Sequence, residues 1–231
     1  MLGMVMPFWS ALGSISNMVG GMGGGLVPPF VHHPARDAAV RAMLPLVPET
    51  GWTRQTLRSA AGEDAEFLFP GGPAEMVEAH SDLGDRMMEE GGRSIAETRV
   101  SRRVQALILL RLEQAELDRD AVRRGLSLLS MPGNRGAAVR SLARTVDTIW
   151  HAAGDQSADM SWYSKRALLA GVYTSTLLYW LKRGSGQDTE EFLDRQLAMV
   201  ARLGSIRRHA GKPPFAARPA AGREERERPH V

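Results

Sequence analysis

From Arg36 onward, apolar residues recur every three to four positions and alternating β-branched runs are almost absent, a pattern that predicts helices and requires no strand. Glycine and proline punctuate it. Helices are predicted near residues 36–44, 53–60, 64–69, 73–90, 94–116, 119–130, 135–153, 161–183 and 188–208. Asp188 followed by Glu191 matches a capping box, and Asp118 and Asn134 are placed to cap the helices that follow them. Gly154, Gly184 and Gly186 are the expected stops. Two runs, Val104–Leu112 and Ala167–Leu181, are apolar almost all round, and helices apolar on every side are expected to be buried on every side. The second run is short for a membrane span and contains Thr174, Ser175 and Thr176, which favours a core or interface helix. The expectation is an all-α bundle with a central helix in a dry interior.

Composition changes this picture at the two ends. Residues 1–35 contain no Lys, Arg, Asp or Glu, and their glycine cluster and Pro28-Pro29 would break a spanning helix; with no positive n-region, a signal peptide is not the expected reading. This stretch reads as a disordered Gly/Met-rich extension. Residues 195–231 hold nine Lys or Arg against three Glu, so the rest of the chain is net acidic although the total is +3. Residues 209–231 therefore read as a disordered basic tail able to meet an anionic surface. Between the ends lie a helical body at 36–187 and an amphipathic helix at 188–208. Cysteine is absent, which excludes disulfides, thiolate metal sites and cysteine nucleophiles, and fits a cytoplasmic chain.

Candidate chemistry is sparse. His32, His33, His209 and His230 fall in the extension and tail, and neither His80 nor His151 belongs to a metal-binding helical pair. No nucleophile motif, phosphate-cradling loop or dinucleotide fingerprint is present, and Asp155 and Asp159 read as turn residues. The expectation is a binding protein with no catalytic residues, metal or cofactor. Residues 53–69 have the outline of a helix-turn-helix, but the recognition element, Glu63 to Phe69, carries three carboxylates and no cation. DNA affinity rests on cationic neutralisation of phosphates, so nucleic acid is not an expected partner. A transcriptional regulator with an apolar effector pocket is the alternative.

Residues 150–181, WHAAGDQSADMSWYSKRALLAGVYTSTLLYWL, together with FLDRQL at 192–197, FPGGPAEMVE at 69–78 and Arg119–Arg124, resemble the coenzyme Q (ubiquinone) biosynthesis family called Coq-nine over roughly residues 40–203. The resemblance implies a TetR-like homodimer with a degenerate helix-turn-helix. It would bind an isoprenoid lipid or quinone precursor, assist the di-iron demethoxyubiquinone hydroxylase, and associate peripherally with the inner membrane. On this basis Trp162 and Tyr163 are the expected hydroxylase contact, bordered by Lys165 and Arg166, and the first turn of their helix is where they should lie. The central apolar helix supplies Leu168, Leu169, Val172, Thr176, Leu177 and Trp180 as the expected lipid lining, with Ala170 and Gly171 giving room; a close-packed core is the other reading. The last helix presents Phe192, Leu193, Leu197, Met199, Val200, Leu203 and Ile206 as an apolar stripe beside Arg207 and Arg208, either packed on its own body or set against a membrane. Relatives often carry a longer acidic, aromatic loop where this chain has only Arg183–Gln187.

Overall fold

The computed structural model describes residues 32–154 and 161–210, and side chains there except at 161–164 and 203–210. Most of the predicted extension, the basic tail, Asp155 and Asp159 lie outside the described residues, as do the side chains of Trp162, Tyr163, Leu203, Ile206, Arg207 and Arg208. The described residues form nine α-helices and no strand: α1 Pro34–Met43, α2 Val47–Thr50, α3 Arg54–Ala61, α4 Pro73–Gly92, α5 Val100–Gln114, α6 Arg119–Leu129, α7 Arg135–Ala152, α8 Ser161–Arg183 and α9 Gln187–Ala210. No helix among them is long and apolar enough to cross a membrane.

Several boundaries differ from the sequence pattern, each for a local reason. Between Gly62 and Pro70 there is too little chain for a stable α-helix, and Glu63–Leu68 winds as a 3₁₀ segment instead. Glu66 on it pairs with Arg58 at 3.0 Å, and Phe67 is left 85% exposed. The outline of a helix-turn-helix thus lacks an α-helical second element. Residues 94–99 are not helical because Arg103 captures the backbone: its guanidinium donates to the carbonyls of Gly92, Ile95 and Ala152 at 3.1, 2.9 and 2.8 Å. Neither Asp118 nor Asn134 makes a side-chain cap; Asn134 Nδ2 instead donates to the Leu128 carbonyl. The last helix begins at Gln187, so Asp188 sits inside its first turn rather than capping it. Functional caps come from His33, which accepts from the Ala35 amide, and Thr53, which accepts from the Thr56 amide at 3.0 Å. Gly184 ends α8 at φ +83, a backbone conformation natural to glycine.

The long α4 packs against α7 and α5 and touches both of two cores. The first core joins α1–α3, the front of α4 and parts of α6 and α7 through Met43, Leu57, Phe69, Met76 and Leu83. The second joins the rear of α4 to α5, the end of α7, α8 and the start of α9 through Met88, Leu107, Ile108, Ile149, Trp180 and Leu193. Charged pairs border the first: Arg36 to Glu75 at 2.6 Å, Arg86 to Asp37 at 2.7 Å, and Arg144 to the buried Glu78 at 2.8 Å. Both apolar runs supply the second core. Yet Leu168 and Leu178 on α8 are 41% and 53% exposed, so α8 is apolar beyond what this body covers.

Candidate functional site

Where the two cores meet they leave a cavity of about 150 Å³. Val77 and Leu129 belong to the first core, and Leu112, Ala115 and Trp180 to the second; Val122, Leu126, Leu142 and Leu177 complete the apolar wall. A space of this size accepts one benzene-sized group.

One end of the cavity is polar. Arg111, carried by the apolar α5, is buried and donates from Nε to Asp85 Oδ1 on α4 at 3.1 Å and from Nη2 to the Ser81 carbonyl at 3.2 Å. Thr145 on α7 donates to the other Asp85 oxygen at 2.8 Å. The guanidinium reaches this position because residue 84 is glycine: a Cβ there would stand 2.4 Å from its central carbon. Burial raises the Asp85 carboxyl to about 6, although Arg111 and Thr145 pull it down. Burial and the nearby Arg111 cation lower His80 to about 3, so its imidazole is neutral at physiological pH. His80, Ser81, Ser141, Thr145, Tyr173 and Thr174 also line the space. At the opposite side Trp180 Nε1 donates to Glu116 Oε2 at 2.8 Å, and the same oxygen accepts from the Ser185 amide at 2.8 Å and hydroxyl at 2.6 Å. Burial disfavours the Glu116 anion, but these hydrogen bonds prevail and hold its pKa down. The α8–α9 connector is thereby tied to the end of α5.

Of the lining residues expected from the sequence, Leu177 and Trp180 border the cavity. Leu169, Val172 and Thr176 are buried elsewhere in the second core, with the Thr176 hydroxyl bonded to the Val172 carbonyl, and Leu168 faces outward. The α8 backbone is helical from Ser161, which sets Trp162 and Tyr163 in its first turn. Lys165 and Arg166 are half-buried, Arg166 Nε reaching Asp147 Oδ1 on α7 at 2.5 Å. On α9, Leu193 is fully buried and Leu197 and Val200 pack against the second core. Phe192 stacks on Tyr179 with centroids 4.3 Å apart. Of the stripe's described side chains, Phe192, Leu193, Leu197 and Val200 thus face the protein itself, while Met199 is 51% exposed. Sequence reading missed Arg111, Asp85 and Ser141. One signal was present: a lone arginine within VQALILLRL needs a buried partner.

The fold and site define an all-helical protein with a mainly apolar pocket bordered by hydrogen-bonding groups. Residues 136–204, from α7 into α9, match the family model COQ9. The chain is 30% identical over 186 residues to ubiquinone biosynthesis protein COQ9, mitochondrial, of Xenopus tropicalis, covering 71% of this chain and 57% of that protein. It is 31% identical over 183 residues to the Homo sapiens protein of that name, covering 71% and 56%. To the COQ9-A protein of Xenopus laevis it is 41% identical over 81 residues, 34% of this chain and 26% of the relative. The chain belongs to the COQ9 family, and it spans a little over half the length of the curated relatives aligned most fully.

Proposed function

We propose that this chain is a non-enzymatic accessory protein of ubiquinone biosynthesis that binds an isoprenoid quinone precursor and delivers it at a membrane surface to the di-iron demethoxyubiquinone hydroxylase. The observation carrying this reading is the apolar cavity at the seam of the two cores, in a chain whose relatives are named ubiquinone biosynthesis proteins. Its volume suits a single ring-sized group, so most of a polyprenyl chain would lie along other surfaces or enter as α8 and α9 part. Burial of apolar ligand surface contributes about 25 cal/mol per Å² towards the cost of ordering the ligand. A TetR-like homodimer is part of the proposal, supported by the uncovered Leu168 and Leu178 on α8. Trp162 and Tyr163, at the start of the same helix, are the proposed hydroxylase contact. The distal, basic part of α9 is the proposed membrane contact, because the proximal part is already packed on the body.

The test is native mass spectrometry with lipid extraction of the purified chain, alongside Ala138→Leu, which extends a cavity-lining side chain into the space. An isoprenoid lipid should accompany the parent protein and be depleted in the variant. A parent protein that is reproducibly lipid-free would overturn the reading.

A further inference from the structure

Ser141 on α7 is only 7% exposed, and its hydroxyl has no hydrogen-bond partner among the described residues although it lines the cavity. A helical hydroxyl usually returns to a carbonyl of the preceding turn, as those of Ser127 and Thr176 do here at 2.9 and 2.8 Å. An unmade hydrogen bond in the interior is costly and demands an explanation.

The surroundings indicate what would make that bond. Arg111 and Asp85 already compensate one another, and Thr145 is committed to Asp85, so the polar end carries no net charge when both are ionised. An added anion or cation would be a third, unpaired charge in a mainly apolar pocket. The rest of the wall includes Leu112, Val122, Leu126, Leu142, Leu177 and Trp180 and offers mainly apolar surface. The volume suits one six-membered ring. A serine hydroxyl both donates and accepts, so it can bond a phenolic or a carbonyl oxygen.

We propose that this corner is a head-group subsite: the cavity takes an uncharged, oxygen-bearing six-membered ring, and the Ser141 hydroxyl makes the hydrogen bond that selects it. The inference deepens the accessory-protein reading and rests on it only for the identity of the natural ligand. It places the ring, rather than the tail, of such a ligand inside the seam.

The test uses the full, delipidated chain and two nearly isosteric probes, p-cresol and toluene, with benzoate as the charged comparison, in calorimetric titrations. Parent protein should bind p-cresol about tenfold more tightly than toluene, the ratio given by one hydrogen bond of ordinary net strength. Ser141→Ala should bind both alike, at the parent's toluene affinity, with an undiminished melting temperature because the lost hydroxyl had no partner. The proposal is overturned if neither probe binds, if the preference survives in Ser141→Ala, if benzoate matches p-cresol, or if the variant melts distinctly lower. Co-purified isoprenoid lipid without a p-cresol preference would remove the subsite and leave the accessory reading standing. Ser141-dependent binding by a protein that never carries lipid would do the reverse.

Discussion

The two cores handle their polar groups differently. In the first, Trp52 donates to the Ala121 carbonyl at 2.9 Å, Thr56 is bonded to Thr50, Thr53 and the Gly51 carbonyl, and the carboxylates are met by arginines that keep part of their surface in solvent. The second core takes both members of a pair, Arg111 and Asp85, into the interior from two successive helices and orders them with Thr145. Backbone acceptors and partly exposed cations let side chains close over one another. A buried pair instead requires surrounding polar atoms and fixed helix spacing, and the two apolar clusters fail to merge beside it. The cavity follows from that failure.

Breaking the pair should have the largest effect. Asp85→Ala leaves the Arg111 cation buried without its carboxylate, and a loss of about 3–5 kcal/mol is expected in urea unfolding. A loss below about 1 kcal/mol would mean that water already solvates the pair and that the cores do not differ in this way.

Acidification sharpens the contrast next. His80 has its folded-state pKa lowered to about 3, so between there and 6.5 the unfolded chain binds more protons and this group's contribution to stability falls as pH falls. Asp85 is raised to about 6, so between roughly 4 and 6 it acts in the opposite sense. Replacing His80 with Gln should therefore remove an acid-dependent loss of about 2 kcal/mol by pH 5 relative to pH 7. Parallel pH profiles of stability for parent and variant would show that the imidazole is solvated.

Glu116→Ala frees the Ser185 amide and removes the main acceptor of the Trp180 indole, at an expected cost of about 1–3 kcal/mol. Hydrogen exchange should accelerate at Ser185 and along the start of α9 and stay unchanged in α1–α3. The smallest effect belongs to the first core, where Thr53→Ala deletes an N-cap and should cost about 1 kcal/mol, fraying α3 without altering ligand content.

Helical class and the burial of much of α5 and α8 were legible because they follow from periodicity, whereas the six lining positions were expected from the resemblance, and of these Leu177 and Trp180 border the pocket. What escaped depends on contacts between segments distant in the chain. Nothing within α5 says that Arg111 will meet Asp85, since the meeting requires the packing of α4 on α5 and the absence of a Cβ at Gly84. The shortened start of α5 similarly depends on Arg103 reaching the Ala152 carbonyl on α7. Ser141 carried no sequence signal, because an unpartnered hydroxyl is recognised only once its neighbours are placed.

The position of Trp180 equips the chain with an optical reporter. Of five tryptophans, Trp180 is fully buried, forms part of the cavity wall and is hydrogen-bonded to a carboxylate. Its fluorescence will respond to whatever enters beside it: an electron-poor quinone ring at van der Waals distance quenches an excited indole, while a saturated hydrocarbon does not. Trp52, packed 5.3 Å from His80 in the first core, provides an emission background outside the cavity wall. Occupancy of the seam can thus be followed by light in the unlabelled protein, with Trp180→Phe as the silent control.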